Sequence, residues 1–359
     1  MINHLSIENF RSHKHAELSD CGRINILLGK NNAGKTAVLE AILMLCFPPN
    51  PREVLIVLNE QRGYKPGEEN SELWDSYFYD WDSTQAIVLT ANERSYASRL
   101  NVCQQLFVVA QTGFTGVYTS GSVVEGQNAL AKTTGLNFKY QYEEGYIEKK
   151  VTSLKRKSSQ SLDPKAKEII NRISPIAFIP SKGIANPQDE AERFSRLEKM
   201  NHHHEVEDAL RIVEPRLKRL SVIASGKSSM VYGDLGDNHL IPVSLMGEGM
   251  VRMLSIASAM ANNKGGIVLI DEIENGLHYS VLPFLWKMIF TTAKALGIQV
   301  FAATHSDECL HAASQVVQKN SFTTDLRLFR LDLHEGKTAV TDYSADELAV
   351  AIASDQEVR

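Results

Sequence analysis

Cysteine is sparse and unpatterned. Cys21, Cys46, Cys103 and Cys309 are scattered with no CxxC pair, which argues against a zinc ribbon or a disulfide framework. Long apolar runs are missing too. The longest, such as Ile24 to Leu28 and Gly266 to Ile270, are strand-sized and far below the roughly 20 residues of a bilayer span, so no membrane segment is expected. The opening MINHLSIENFRSH has no apolar stretch behind a basic one, so no secretory signal is expected and the cytoplasm is the expected location. No heptad pattern is sustained, which excludes a long coiled coil. Positive charge is not in excess either: with a net charge of -5, any nucleic-acid contact has to come from a local patch. What remains is an ordinary folded composition over 359 residues, 43% hydrophobic and 23% charged, enough for one large α/β domain or two ordinary ones.

Along the chain, Ile2 to Phe10 alternates apolar and polar residues like a half-buried strand, and Arg23 to Leu28 reads as a more completely buried one. A glycine-rich loop and an apolar helix, Ala37 to Leu45, follow and end at Pro48 and Pro49. Residues 50–172 are irregular, and we expect a β-rich lobe with insertions there, with strands near Gln85 to Thr90, Ser98 to Val109 and Thr115 to Tyr118. Within it, Glu148 to Lys167 reads as a basic, solvated linker. A strand is expected within Ile173 to Pro180, then a helical lobe and hairpin over 181–242. From Val243 to the end, helix and strand alternate as in a parallel sheet.

Four pieces carry chemistry. Gly29 to Thr36, GKNNAGKT, fits G-x-x-x-x-G-K-[ST] between a strand and a helix. In that motif the backbone of Gly29, Asn31, Asn32, Ala33 and Gly34 cradles phosphates, Lys35 reaches the β- and γ-phosphates of ATP, and the Thr36 hydroxyl holds Mg²⁺. GIVLIDE, Gly266 to Glu272, is a buried strand that delivers two acids to a sheet edge. Position makes Asp271 a Mg²⁺ ligand through water and Glu272 the residue that orients or deprotonates the attacking water. A third strand, Gln299 to Ala303, ends at His305, where an imidazole can hydrogen-bond the γ-phosphate or that water. The last piece is a glycine-rich turn, SLMGEGM from Ser244, leading into an apolar helix whose N-terminus can face an anion. His202, His203 and His204 point in different directions on a helix and read as solvated rather than metal-binding.

In this order and spacing the pieces resemble the ABC-type ATPase heads of the RecF, SMC and OLD group, in particular its AAA-type ATP-binding proteins. The resemblance covers nearly the whole chain and implies a P-loop NTPase fold: one α/β ABC-ATPase head, 1–359, with an antiparallel β lobe and a helical lobe. It makes GKNNAGKT the Walker A motif, GIVLIDE Walker B, GEGMVRM the signature, Glu274 to His278 the D-loop region and His305 the switch histidine. By the same analogy Arg11, in NFRSH, approaches the nucleotide phosphates. Gly249 takes the place of the signature's invariant glycine and Gly247 that of its serine, which leaves backbone donors alone and fits slow turnover. Gln85 and Gln111 both remain open as the Q-loop residue.

In such heads the signature of one protomer completes the ATP site of the other, so a homodimer or a higher homo-oligomer is expected. Long coiled-coil arms are absent, and the roughly 54 residues after His305 are too few for the Toprim nuclease of OLD proteins. The leading expectation is therefore an ATPase that senses or regulates for a separate, nuclease-like effector protein, with bacterial antiviral defence as the setting. A RecF-like DNA clamp is the alternative, its phosphate contacts drawn from Glu148 to Lys167 and from Arg211, Arg216, Lys218 and Arg219. A non-hydrolysing ATP-binding scaffold and a transporter motor subunit fit less well.

Overall fold

The computed structural model describes residues 1–47, 50–64, 71–92, 98–110, 130–142, 145–154, 174–181, 187–225, 228–320, 322–334 and 337–354. The chain opens with a hairpin, β1 (Leu5–Phe10) and β2 (His13–Leu18), followed by β3 (Ile24–Leu28) and helix α1 (Lys35–Cys46). Every residue of β3 is buried, the pattern of a strand covered on both faces.

Helices α2 (Pro51–Gln61) and α3 (Ser71–Asp75) come next. Two prolines at 48 and 49 suggest only a stop, so no helix is expected directly after them. Pro51 instead opens α2, where its missing N–H costs nothing, and Val54, Leu55, Ile56 and Leu58 are buried. Strands β4 (Ile87–Ala91), β5 (Arg99–Ala110), β6 (Leu130–Tyr142) and β7 (Gly145–Val151) join the opening hairpin in an antiparallel sheet ordered β2-β1-β4-β5-β6-β7. The strand expected at Thr115 to Tyr118 and the basic residues beyond 154 lie outside the described residues, while Glu148 to Val151, expected in a linker, close this sheet in β7.

The second half supplies β8 (Ile176–Ile179), α4 (Pro187–Lys199), α5 (His203–Arg211) and a small sheet of β9 (Arg219–Ser225), β10 (Ser228–Asp234) and β11 (Ile241–Pro242). It continues through α6 (Glu248–Asn262), β12 (Ile267–Ile270), α7 (Leu282–Leu296), β13 (Gln299–Thr304), α8 (Asp307–Asn320), β14 (Leu326–His334), β15 (Lys337–Ser344) and α9 (Ala345–Ala353). The central sheet is ordered β15-β14-β3-β13-β12-β8 and is parallel except for β15.

Alternation along the central strands splits the core in two. Ile24, Ile26, Val268, Ile270, Val300 and Ala302 pack with the helices from α4 onward. Leu27, Ile267, Leu269, Phe301 and Ala303 pack with α1 and the antiparallel sheet. Buried Gln299 locks the start of the chain to this sheet: its Nε2 donates to the carbonyls of Ile2 (2.7 Å) and Gly22 (2.9 Å), and its Oε1 accepts from the Ile2 N–H (2.8 Å). Among the described residues no helix is long and apolar enough to cross a membrane.

Candidate functional site

Strands β3, β12 and β13 are parallel neighbours, so the segments that follow them leave the same edge of the sheet. Those segments are Gly29 to Gly34, Asp271 to Glu274, and His305. Gly34 has φ +89, and a Cβ there would lie 2.3 Å from His13 Cε1 and 2.6 Å from Ser12 Oγ, so the loop can pass under the hairpin tip only with glycine. Asn31 and Asn32 are exposed on the loop, whereas Gly29, Ala33 and Lys35 are buried. Helix α1 is buried on nearly every side, which fixes its N-terminus and the N–H groups there.

Lys35 Nζ donates to the carbonyls of Gly29 (2.6 Å) and Lys30 (3.0 Å), lying across the loop. The Thr36 hydroxyl lies 3.1 Å from each carboxylate oxygen of Asp271, although 235 residues separate them in sequence. Burial pushes the Asp271 carboxyl up to about 6, the Thr36 hydrogen bond opposing the shift and the charge of Glu272 adding to it. A hydroxyl and a carboxylate facing one another, both hard oxygen donors, form a set that suits Mg²⁺ with phosphate and water filling the other positions.

Glu272 has φ +43, a left-handed backbone at a residue with a Cβ. Such a conformation costs on the order of 1–3 kcal/mol and persists only where neighbours over-determine it. Beyond it, Glu274 Oε1 accepts from the His305 backbone N–H (3.0 Å) and lies 3.2 Å from His305 Nδ1. The imidazole is thereby oriented, with its side chain 40% exposed.

Arg11 departs from expectation. Its Nε donates to Glu40 Oε2 (3.1 Å), its Nη1 to the Ser76 carbonyl (2.8 Å), and its guanidinium lies 4.2 Å from the centre of the Tyr77 ring. The cause is Glu40, a carboxylate of α1 only 1% exposed, which needs both Arg11 and Arg62 (2.8 Å) as counter-charges. The hairpin reaches the P-loop through His13 instead. Its Nε2 donates to the Gly34 carbonyl (3.0 Å) and its Nδ1 accepts from the Thr338 hydroxyl of β15 (2.7 Å). That is a neutral ring, in keeping with the downward shift that burial imposes on it.

The signature turn lies apart from these contacts. Gly247, at φ +105, caps α6, and a Cβ there would meet nothing within 4 Å. Leu245 beside it is 76% exposed, and Tyr279 past the D-loop region is 67% exposed. Gly249 faces Leu277, whose Cδ2 would sit 3.3 Å from an added Cβ. Glu274, His13 and Glu40 were not foreseen as site residues. Glu274 and His13 lie within segments already singled out, ENGLH and NFRSH, but nothing local marks their partners. Gln85 contributes its carbonyl to Asn9 (2.8 Å), and Gln111 lies outside the described residues.

The family "AAA ATPase domain" matches residues 1–175, and "AAA domain, putative AbiEii toxin, Type IV TA system" matches residues 133–310. An "ATP/GTP phosphatase" of Helicobacter pylori is 23% identical over 92% of each chain. A "DNA replication and repair protein RecF" of Nitrosococcus oceani is 45% identical over 62 residues, 17% of each chain. A "DNA double-strand break repair Rad50 ATPase" of Methanopyrus kandleri is 52% identical over 48 residues, 13% of this chain and 6% of its own length. Among solved structures, an SMC head bound to the C-terminal winged-helix domain of ScpA superposes with a TM-score of 0.51 at 13% identity, covering 96% of this chain and 97% of that one. Two overlapping AAA profiles together run from residue 1 to residue 310, and the chain has the fold of an SMC head over almost its full length, so it is similar to AAA-type ATPase domains.

Proposed function

We propose that this chain is a slow, nucleotide-gated ATPase that closes as a dimer on ATP and signals its state to a separate effector protein. The observation that carries the hydrolytic reading is the meeting of Thr36 and Asp271 at 3.1 Å, with Lys35 on one side and Glu272 on the other. On ATP binding, the Lys35 ammonium exchanges the Gly29 and Lys30 carbonyls for β- and γ-phosphate oxygens, and loop N–H groups at the start of α1 take the remaining phosphate oxygens. Mg²⁺, when bound, neutralises charge on the β- and γ-phosphates, and Thr36 and Asp271 are the residues that would hold it. Glu272 orients the attacking water and accepts its proton, while His305, fixed by Glu274, faces the γ-phosphate side.

The dimer reading draws on the open signature turn at Gly247 and the exposed Leu245 and Tyr279, surfaces suited to a second copy. The defence setting draws on the toxin named in the description of the family matched over residues 133–310. A DNA clamp is the second reading, favoured by local similarity to RecF and Rad50 proteins. One of its two basic patches is largely spent: Arg211 pairs with Glu207 and Asp208, Arg216 with Glu214, and Arg219 with Asp234. DNA binding that weakens steeply with salt would favour the clamp.

The test is ATP turnover and mass measured together for wild type and Glu272→Gln, with and without Mg²⁺ and ATP. Loss of the proton acceptor should cut turnover by about 10²–10⁴-fold and leave a stable ATP-bound dimer. No wild-type turnover and no change of mass would overturn the reading in favour of an ATP-binding scaffold.

A further inference from the structure

Helix α6 is buried on most faces by Met250, Met253, Leu254, Ile256 and Ala257, yet it carries a cation in their midst: Arg252 is 5% exposed. A guanidinium in such a place is costly unless its donors are satisfied. Its Nη1 donates to the Pro180 carbonyl (2.7 Å) and its Nη2 to the carbonyls of Asp271 (2.7 Å) and Glu272 (3.1 Å), while its buried Nε has no hydrogen-bond partner among the described residues. Pro180 follows β8, and the other two follow β12, so one planar fork grips the ends of two neighbouring strands.

Two facts give the grip a consequence. The Glu272 backbone is left-handed, and its carbonyl is one of the three oxygens held, so Arg252 is among the contacts that over-determine that conformation. The same helix begins at the Gly247 turn. A displacement of that turn is passed along a rigid helix to the peptide that aims both carboxylates.

We infer that Arg252 is a positioning residue for hydrolysis, whose guanidinium fork fixes the Asp271–Glu272 peptide and couples it through α6 to the signature turn. The inference rests on the ATPase reading above. Among the described residues Arg252 makes no hydrogen bond to the P-loop, so nucleotide affinity should depend on it far less than hydrolysis does. Lysine keeps the charge but lacks the planar fork and cannot hold the three carbonyls in the same geometry.

The experiment compares wild type, Arg252→Lys, Glu272→Gln and the double variant by single-turnover hydrolysis of Mg²⁺–ATP, with affinity for a fluorescent ATP analogue and thermal unfolding measured on each. Arg252→Lys should slow hydrolysis by about 100-fold, the scale of a displacement near 1 Å at a reacting centre, with nucleotide affinity within about threefold of wild type. Because Arg252 acts through Glu272, adding Arg252→Lys to Glu272→Gln should cost little more, whereas a purely structural role would slow both backgrounds alike. Unchanged hydrolysis, a loss carried by nucleotide affinity, or costs that multiply in the double variant would each overturn the inference while leaving the ATPase reading in place. An inactive wild type overturns both.

Discussion

On the P-loop side of the candidate site, the polar groups are answered from within the chain: Lys35 by two loop carbonyls, Thr36 by Asp271, the Gly34 carbonyl by His13. On the signature side, Gly247 has open space where a side chain would stand, and Leu245 is turned to solvent. The first half is set by contacts between elements that the fold already brings together, so its geometry exists before a ligand arrives. The second half presents a surface, and a surface acquires geometry only when something docks on it. The difference predicts that changes on the two sides will act differently on nucleotide binding and on hydrolysis.

The sharpest way to break the comparison is at the finished half. Lys35→Met should weaken ATP binding by about 2–3 kcal/mol, about 100-fold in Kd by calorimetric titration, since charge-assisted bonds to phosphate are lost with no substitute nearby. A smaller loss, under about threefold, would mean that the loop N–H groups suffice and that Lys35 serves the loop carbonyls instead. At the open half, Leu245→Glu should leave ATP affinity unchanged and the unfolding free energy within about 0.5 kcal/mol, as for an exposed site, while abolishing the mass increase with ATP. Retained assembly would place the dimer face elsewhere.

The smallest expected effect concerns protons. The Asp271 pKa in the fold, about 6, lies above its usual value of 3.8. Its contribution to stability is therefore fully present below about pH 4 and lost as pH rises through about 6. Asp271→Asn should raise the unfolding midpoint of the nucleotide-free protein by about 2–4 °C at pH 7 and by little near pH 4. The apparent affinity for Mg²⁺ should weaken below about pH 6, as proton and cation compete for the same carboxylate oxygen. An unchanged midpoint at pH 7 would show that Thr36 alone compensates the buried charge.

Much of this was legible from residue order alone, and the reason is local. GKNNAGKT needs only its own strand and helix to be recognised, and GIVLIDE ends where an apolar run meets acids. The parallel half followed from the same alternation. What stayed hidden depends on partners far away in sequence. Arg11 read as a phosphate ligand because nothing near it marks Glu40 as a buried acid in need of it. Arg252 looked like one more position of an apolar helix, since its three acceptors are backbone carbonyls and carbonyls leave no trace in composition. Glu274 and His305, separated by 31 residues, meet only because β12 and β13 are neighbours. Helix α2 was missed for a simpler reason: a proline that stops one helix can begin the next.

Strand β3, which leads into the P-loop, lies between β13 and β14, both made some 270 to 300 residues later, and His13, packed against the loop at Gly34, is anchored to Thr338 in β15. On the ribosome, then, the nucleotide-binding motif is translated well before the strands that flank it in the sheet. For most of synthesis β3 has neither of its sheet neighbours. A nascent chain therefore carries the Walker motif before the sheet that holds it is complete. The order of synthesis thus sets the β14–β15 hairpin behind the motif whose surroundings it helps to build.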